Sequence, residues 1–135
     1  SGRFRSIQTS INICDQKNFK YLLPEAKNRG LGVIAKRPIA NACWTYAERP
    51  VGNYAEVYWE RLKTMALELG EDPSDTALRF TAYTWGVDSC IVGTNKVERI
   101  KENMKSIKRG RLPEEVVQYI RGTFNEFGDT WQGEV

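Results

Sequence analysis

Apolar residues recur along this chain in two periods, and segments of the two kinds alternate. Residues 6–13, S-I-Q-T-S-I-N-I, alternate apolar and polar positions and predict a strand. Ile7, Ile11 and Ile13 give it β character, and Gln8, Ser10 and Asn12 form its polar face, which lines a site or meets solvent. Residues 16–29 predict a helix with Phe19, Leu22, Leu23 and Ala26 on one stripe. Pro24 suits only a first turn, so the clean helix should begin near Leu22 or Leu23, and Gly30 should stop it. Residues 32–37 read as a second buried strand, and 39–53 as an irregular loop, with Trp44 and Tyr46 either functional or pinning it to the body. Residues 54–69 make a helix with Tyr58, Leu62, Met65, Ala66 and Leu69 inward, ended by Gly70. A shorter helix over 74–85 buries Ala77, Leu78, Thr81, Ala82 and Trp85. Residues 89–92 predict a buried strand, and Val97, Ile100, Met104 and Ile107 a helix after it. A last helix opens at Leu112-Pro113, with Pro113 at the first helical position. It runs to Phe127 on a stripe of Val116, Val117, Ile120, Phe124 and Phe127.

The order β-α-β-α-α-β-α-α implies right-handed crossovers and a parallel sheet. Ligands bind such sheets at the carboxyl ends of the strands. Asn12, Lys36 with Arg37, and Gly93 with Thr94 stand at those three ends. Three strands leave two unpaired edges of central type, and nothing in the pattern closes a barrel. The first residue is not Met, and the sequence reads as one segment of a larger fold.

Charge and composition narrow the function classes. A net charge of +3 over 135 residues fits a small anion better than a nucleic-acid surface, so no nucleic-acid partner is expected. Cys14, Cys43 and Cys90 are odd in number and widely spaced, which argues against a disulfide framework and for a reducing compartment, the cytoplasm. Cys90 should be packed and inert. The chain has no histidine, which excludes a Ser-His-Asp or Cys-His arrangement and any histidine-ligated metal within it. No apolar run is long enough to span a membrane, and the first residues resemble no signal or transit peptide.

The stretch 89–104, S-C-I-V-G-T-N-K-V-E-R-I-K-E-N-M, carries the strongest chemical signal. It is a strand, a glycine turn and a helix start, with Thr94 or Asn95 as expected cap and Lys96, Arg99 and Lys101 beside it. Free N–H groups at a helix start stabilise an anion, and these cations add to them. The same pattern also describes an ordinary βα turn with solvated lysines.

Three segments together resemble the C-terminal part of the aldo-keto reductase family: S-I-Q-T-S-I-N-I, L-L-P-E-A-K-N-R-G-L-G-V-I-A-K-R-P-I-A-N and C-I-V-G-T-N-K-V-E-R-I-K-E-N. The resemblance runs from about residue 4 to residue 107. It implies an α/β fold, the last three parallel strands of a (β/α)₈ TIM barrel with their helices, so that residues 1–135 form one half-barrel segment. It also implies NADP as cofactor and reversible reduction of an aldehyde or ketone. By position, Gln8 matches the glutamine that meets the nicotinamide carboxamide. Arg37, Ile39 and Asn41 match the loop along the pyrophosphate, and Gly93, Thr94 and Lys96 the turn at the 2′-phosphate. Arg99 matches the arginine on that phosphate, a task suited to a planar guanidinium. Glu102 and Asn103 match the pair that reaches adenine. Lys36 stands where many members place an aromatic that stacks on nicotinamide; a lysine could instead meet a phosphate.

The family's catalytic tyrosine, lysine, aspartate and histidine belong to the first half of its barrel, and no residue here matches them. The expected function is therefore an NADPH-dependent oxidoreductase represented by its cofactor-binding half and inactive alone. Its partners would be a small carbonyl substrate and either the missing half-barrel or a second copy of the chain. Two alternatives are a non-catalytic nucleotide-binding regulator or assembly protein of the same family, and an unrelated phosphate-binding barrel fragment. Trp131, in a tail of the kind that folds over the barrel top in this family, is a candidate for the substrate mouth or simple packing on the last helix.

Overall fold

In the computed structural model, which describes residues 2–134, three strands form one parallel sheet in the order β1-β2-β3. These are β1 Ser6–Ser10, β2 Gly32–Lys36 and β3 Ser89–Cys90. Five helices accompany them: α1 Leu22–Asn28, α2 Glu56–Met65, α3 Pro73–Ala82, α4 Val97–Lys108 and α5 Glu114–Phe127. Neighbours in sequence are neighbours in the sheet, with Ile7 opposite Val33 and Ala35 opposite Cys90. Strand alternation then divides the sheet. Val33 and Ala35 are fully buried on the covered face, whereas Gln8, Ile34, Lys36 and Ser89 share the other, less covered face.

The strands are shorter than the alternation suggests, each for a visible reason. Beyond Ser10 the chain turns inward: Ile11 donates its N–H to the Lys36 carbonyl, and Asn12 bridges antiparallel to Asp15. Arg37 leaves β2 at a left-handed φ of 54°. β3 is an edge and is not the buried strand expected; Ser89 and Ile91 are exposed and Cys90 half-buried. Asp88 anchors its start, accepting from the Val33 N–H at 2.8 Å and from Lys27, whose ion pair holds that carboxyl below the usual carboxylate range.

Around α1 the reading holds. An irregular turn over Lys17–Phe19 precedes it, and Pro24 falls in its first turn, where no partner N–H is lost. Gly30, at φ 70°, closes the helix: its N–H reaches the Lys27 carbonyl and the Leu31 N–H the Ala26 carbonyl, the paired bonds of a Schellman stop. Leu23 fills the core beneath, and an added Cβ on Gly86 (φ 93°) would meet its side chain at 3.3 Å.

Four other boundaries differ. α2 ends at Ala66, which is left-handed (φ 48°, ψ 39°), and not at Gly70, although Leu67 and Leu69 remain buried. A left-handed alanine carries about 1–2 kcal/mol of backbone strain. Ala66→Gly at this exposed position should therefore raise unfolding free energy by about 0.5–1 kcal/mol in urea titrations, after the glycine's greater unfolded-state entropy is counted. Lower stability in the variant would contradict that reading of the helix end. α3 is capped by Asp72, which accepts from the Asp75 N–H at 3.1 Å, and stops at Ala82; Trp85 is 66% exposed, against the inward expectation. Pro113 is the cap of α5 and not its first helical residue, and Phe127 at its end is exposed.

The largest departure is α4. Its stripe Val97, Ile100, Met104 and Ile107 has the predicted spacing, but all four residues are exposed, Val97 by 61%. With Tyr83 and Cys90, three of them, Ile100, Met104 and Ile107, border an apolar groove of about 610 Å³ beside the open edge of β3. No helix among the described residues is long and apolar enough to cross a membrane.

Candidate functional site

A cleft of about 590 Å³ opens at the carboxyl edge of the sheet, between the loop after β2 and the start of α4. Eight of the eleven expected site residues line it: Arg37, Ile39, Asn41, Gly93, Thr94, Arg99, Glu102 and Asn103. The other three lie outside its lining. Lys96 is the cap residue of α4, next in sequence to Asn95 of the lining. Gln8 and Lys36 share the less covered face of the sheet on adjacent strands, with Gln8 opposite Ile34 and Lys36 opposite Ser10.

The helix start differs from the expectation in a way that leaves it open. Lys96, and not Thr94 or Asn95, caps α4, and no side chain accepts from its first turn. The Thr94 hydroxyl accepts from the Lys96 N–H at 3.1 Å, which fixes the turn instead. Among the described residues, the Arg99 and Lys96 side chains make no hydrogen bond or ion pair. An uncapped twelve-residue helix start with two uncommitted cations has a charge distribution that favours an anion.

The opposite wall is a strained loop. Arg37, Ala40, Asn41 and Ala42 all have positive φ, between 50° and 55°. Such residues cost about 1–3 kcal/mol each and persist where the surroundings over-determine them. The surroundings do so here. Thr81 on α3 donates to the Pro38 carbonyl at 3.0 Å, both residues being buried, and Asn41 donates to the Tyr54 carbonyl at 3.1 Å. Trp59 on α2 donates to the Tyr46 carbonyl at 2.9 Å, pinning the loop farther on.

Asn12 ties this loop to the end of β1. It is fully buried, accepts from the Cys14 N–H at 2.7 Å and donates to the Arg37 carbonyl at 3.0 Å. Beside it, Tyr58 donates to Asp15 at 2.8 Å. Burial, and then the Asp15 charge, push the Tyr58 phenol well above its ordinary range. Burial also raises the Asp15 carboxyl, against the Glu134 N–H, the Tyr58 hydroxyl and Arg61, which favour its charge. Arg61 donates to the carbonyls of Cys14 and Gln132, and so holds the tail over this network. Trp131 lies half-buried within that tail, edge-on to Phe124 and beneath the Arg61 guanidinium at 5.2 Å. The tail thus sits against the segment that follows the carboxyl end of β1 and also packs on α5.

Tyr46, a candidate of the loop, also lines the cleft, and the sequence reading missed Tyr54, Asp72, Ser74, Asp75 and Ser106. Asp75 joins its two helical walls, accepting from Arg79 of α3 and from Arg109 just beyond α4. No local motif marks it; only its spacing four residues before Arg79 hinted at a pair. The three cysteines are free, and burial, followed by the neighbouring Cys43, pushes the Cys14 thiol well above its ordinary range. Cys90 is half-buried, and burial pushes its thiol up to about 11. Among the described residues no cluster suited to a metal ion occurs.

The model of the aldo/keto reductase family matches residues 3–124. Among solved structures, an aldo-keto reductase from Bacillus halodurans in its apo form is 20% identical with a TM-score of 0.68, covering 88% of this chain and 43% of its own. Its holo form aligns equally well, at 20% identity and a TM-score of 0.68, covering 87% of this chain and 42% of its own. A thermostable aldo-keto reductase in complex with the inhibitor epalrestat aligns at 20% identity and a TM-score of 0.60, covering 87% and 39%. No curated protein sequence matches. The chain therefore spans about two fifths of the length of the structures it resembles, and its three parallel strands are a sector of their barrel.

Proposed function

Because this chain belongs to the aldo/keto reductase family, we propose that it is the cofactor-binding sector of an oxidoreductase that uses NADP(H) to reduce aldehydes or ketones. One observation carries the reading: eight residues assigned to a nucleotide by resemblance, from two separate stretches of sequence, converge on one cleft beside an uncapped helix start. The cleft's size is within the range of small-molecule sites.

The residues present fit the adenosine end of such a cofactor. Arg99 and Lys96 would hold a 2′-phosphate with the N–H groups of the α4 start, and Glu102 and Asn103, on Arg99's side of the helix, would meet adenine. Arg37, Ile39 and Asn41, on the strained loop, would follow the pyrophosphate. Gln8 and Lys36, on the less covered face, would meet the nicotinamide end, Lys36 by charge and not by stacking. When bound, the cofactor supplies the hydride. The chain's own part is to bind and orient it, and the tail with Trp131 would border the substrate.

No histidine is present to complete an acid–base set. The 135 residues alone should therefore bind NADPH without consuming it. The apolar groove at β3 and α4 should lead them to associate with further strand–helix units, supplied by a longer chain or a second copy. NADPH oxidation assayed with a panel of aldehydes should show no turnover, and sedimentation at high concentration should show self-association. Turnover would contradict the first expectation and a stable monomer the second. NADPH binding without turnover in the complete protein would favour the regulatory reading. The reading carries a cytoplasmic location, which three free cysteines support.

A further inference from the structure

A second cleft, of about 510 Å³, lies between the segment preceding α1 and the α5 helix, and shares no residue with the first. Its central charge is Arg121. That guanidinium is half-buried and lies over the Phe19 ring at 4.4 Å, but among the described residues it makes no hydrogen bond or ion pair. Its Nε is buried without a partner. Gln16, on the same cleft, uses its Nε2 on the Ile13 carbonyl and leaves its buried Oε1 unpaired. Lys17 and Lys20 add two further cations to the lining, against the single carboxylate of Asp129.

A charge removed from water without a counter-ion is costly, and stacking on one ring recovers only part of that cost. Burial lowers the pKa of Arg121, the mark of a cation lacking its anion. Stacking occupies a face of the guanidinium and leaves its edges, whose fork geometry matches a carboxylate or phosphate. Tyr21 and Phe124 supply apolar wall beside it.

We propose that this cleft binds a small organic anion, a carboxylate or phosphate monoester on a flat apolar group. The charge meets Arg121 and the apolar part lies against Tyr21 and Phe124. The site is independent of the nucleotide cleft.

The test is an amide NMR titration of the protein with benzoate, phenyl phosphate and the uncharged benzyl alcohol. One or both anions should shift the signals of Gln16, Tyr21 and Asn125, and the alcohol should not; the tighter of the two identifies the preferred acid. Arg121→Gln should weaken the tighter anion at least about tenfold, and Lys20→Gln by less. The proposal is overturned if neither anion shifts these signals up to about 10 mM, or if the shifts map elsewhere. It is equally overturned if Arg121→Gln binds as tightly as the parent. Should Arg121→Gln fail to fold, the shift map of the unmodified protein and the Lys20→Gln affinity decide the matter.

Discussion

Replacing Asp75 with alanine is expected to lower unfolding free energy by about 2–3 kcal/mol. The carboxylate is 9% exposed and accepts from Arg79 at 3.1 Å and from Arg109 at 2.6 Å, linking α3 to the end of α4. The two pairs are unequal. Arg109 is more than half exposed, so its share is close to that of a surface pair, under about 1 kcal/mol. Arg79 is 15% exposed and would be left with only the Gly110 and Arg111 carbonyls, so most of the loss comes from it. Burial alone would raise the Asp75 pKa, but Ser106, Arg79 and Arg109 outweigh it and hold the carboxyl below its usual range.

The sign of the pH dependence follows. A carboxyl whose folded pKa is depressed contributes stability above its unfolded value, near 4, and that stability fades as pH falls through the lower folded value. The parent protein should thus lose this increment as pH falls below about 4, and Asp75→Asn should lose less over the same range. Urea titrations at neutral and acid pH measure both. An Asp75→Ala variant within about 0.5 kcal/mol of the parent would mean that water screens the pairs.

What was legible in the sequence was local. Alternation in β1, the Pro24 and Gly30 boundaries of α1, and strand-helix order each follow from a few adjacent residues, and together they imply the parallel order observed. What was not legible was long-range. The 3.6-residue period of α4 identifies Val97, Ile100, Met104 and Ile107 as one face, but periodicity is silent on whether the element covering that face lies in the same sector. Ala40, Ala42 and Ala66 adopt left-handed backbone that alanine disfavours, so no residue type announced the strained loop or the early end of α2. Of that loop only Asn41 is a residue with a known tolerance for positive φ.

The candidate site divides the same way. Gly93, Thr94, Arg99, Glu102 and Asn103 lie within eleven residues of sequence and were visible as one motif. Asp75, Ser106 and Tyr54 reach the cleft only through tertiary packing. The misplaced cap shows the limit of propensity. Thr94 spends its hydroxyl on the Lys96 N–H, tightening the turn, and the helix start is left without a side-chain cap.

The charge on Arg99 should decide which cofactor the protein prefers. A 2′-phosphate carries close to two negative charges, and Arg99 faces the cleft without a competing acid partner. A charge-assisted bond to such a group is worth roughly 1.5–3 kcal/mol, so Arg99→Ala should weaken NADPH binding by about one to two orders of magnitude. NADH lacks that phosphate, and its affinity should barely change. The difference should shrink as salt is added, because the guanidinium is exposed. Fluorescence titration of the protein and its Arg99→Ala variant with both cofactors is the direct measurement. A selective loss of NADPH affinity is the predicted result. Equal losses for NADPH and NADH would contradict the account, placing Arg99 on the shared adenosine or in the fold.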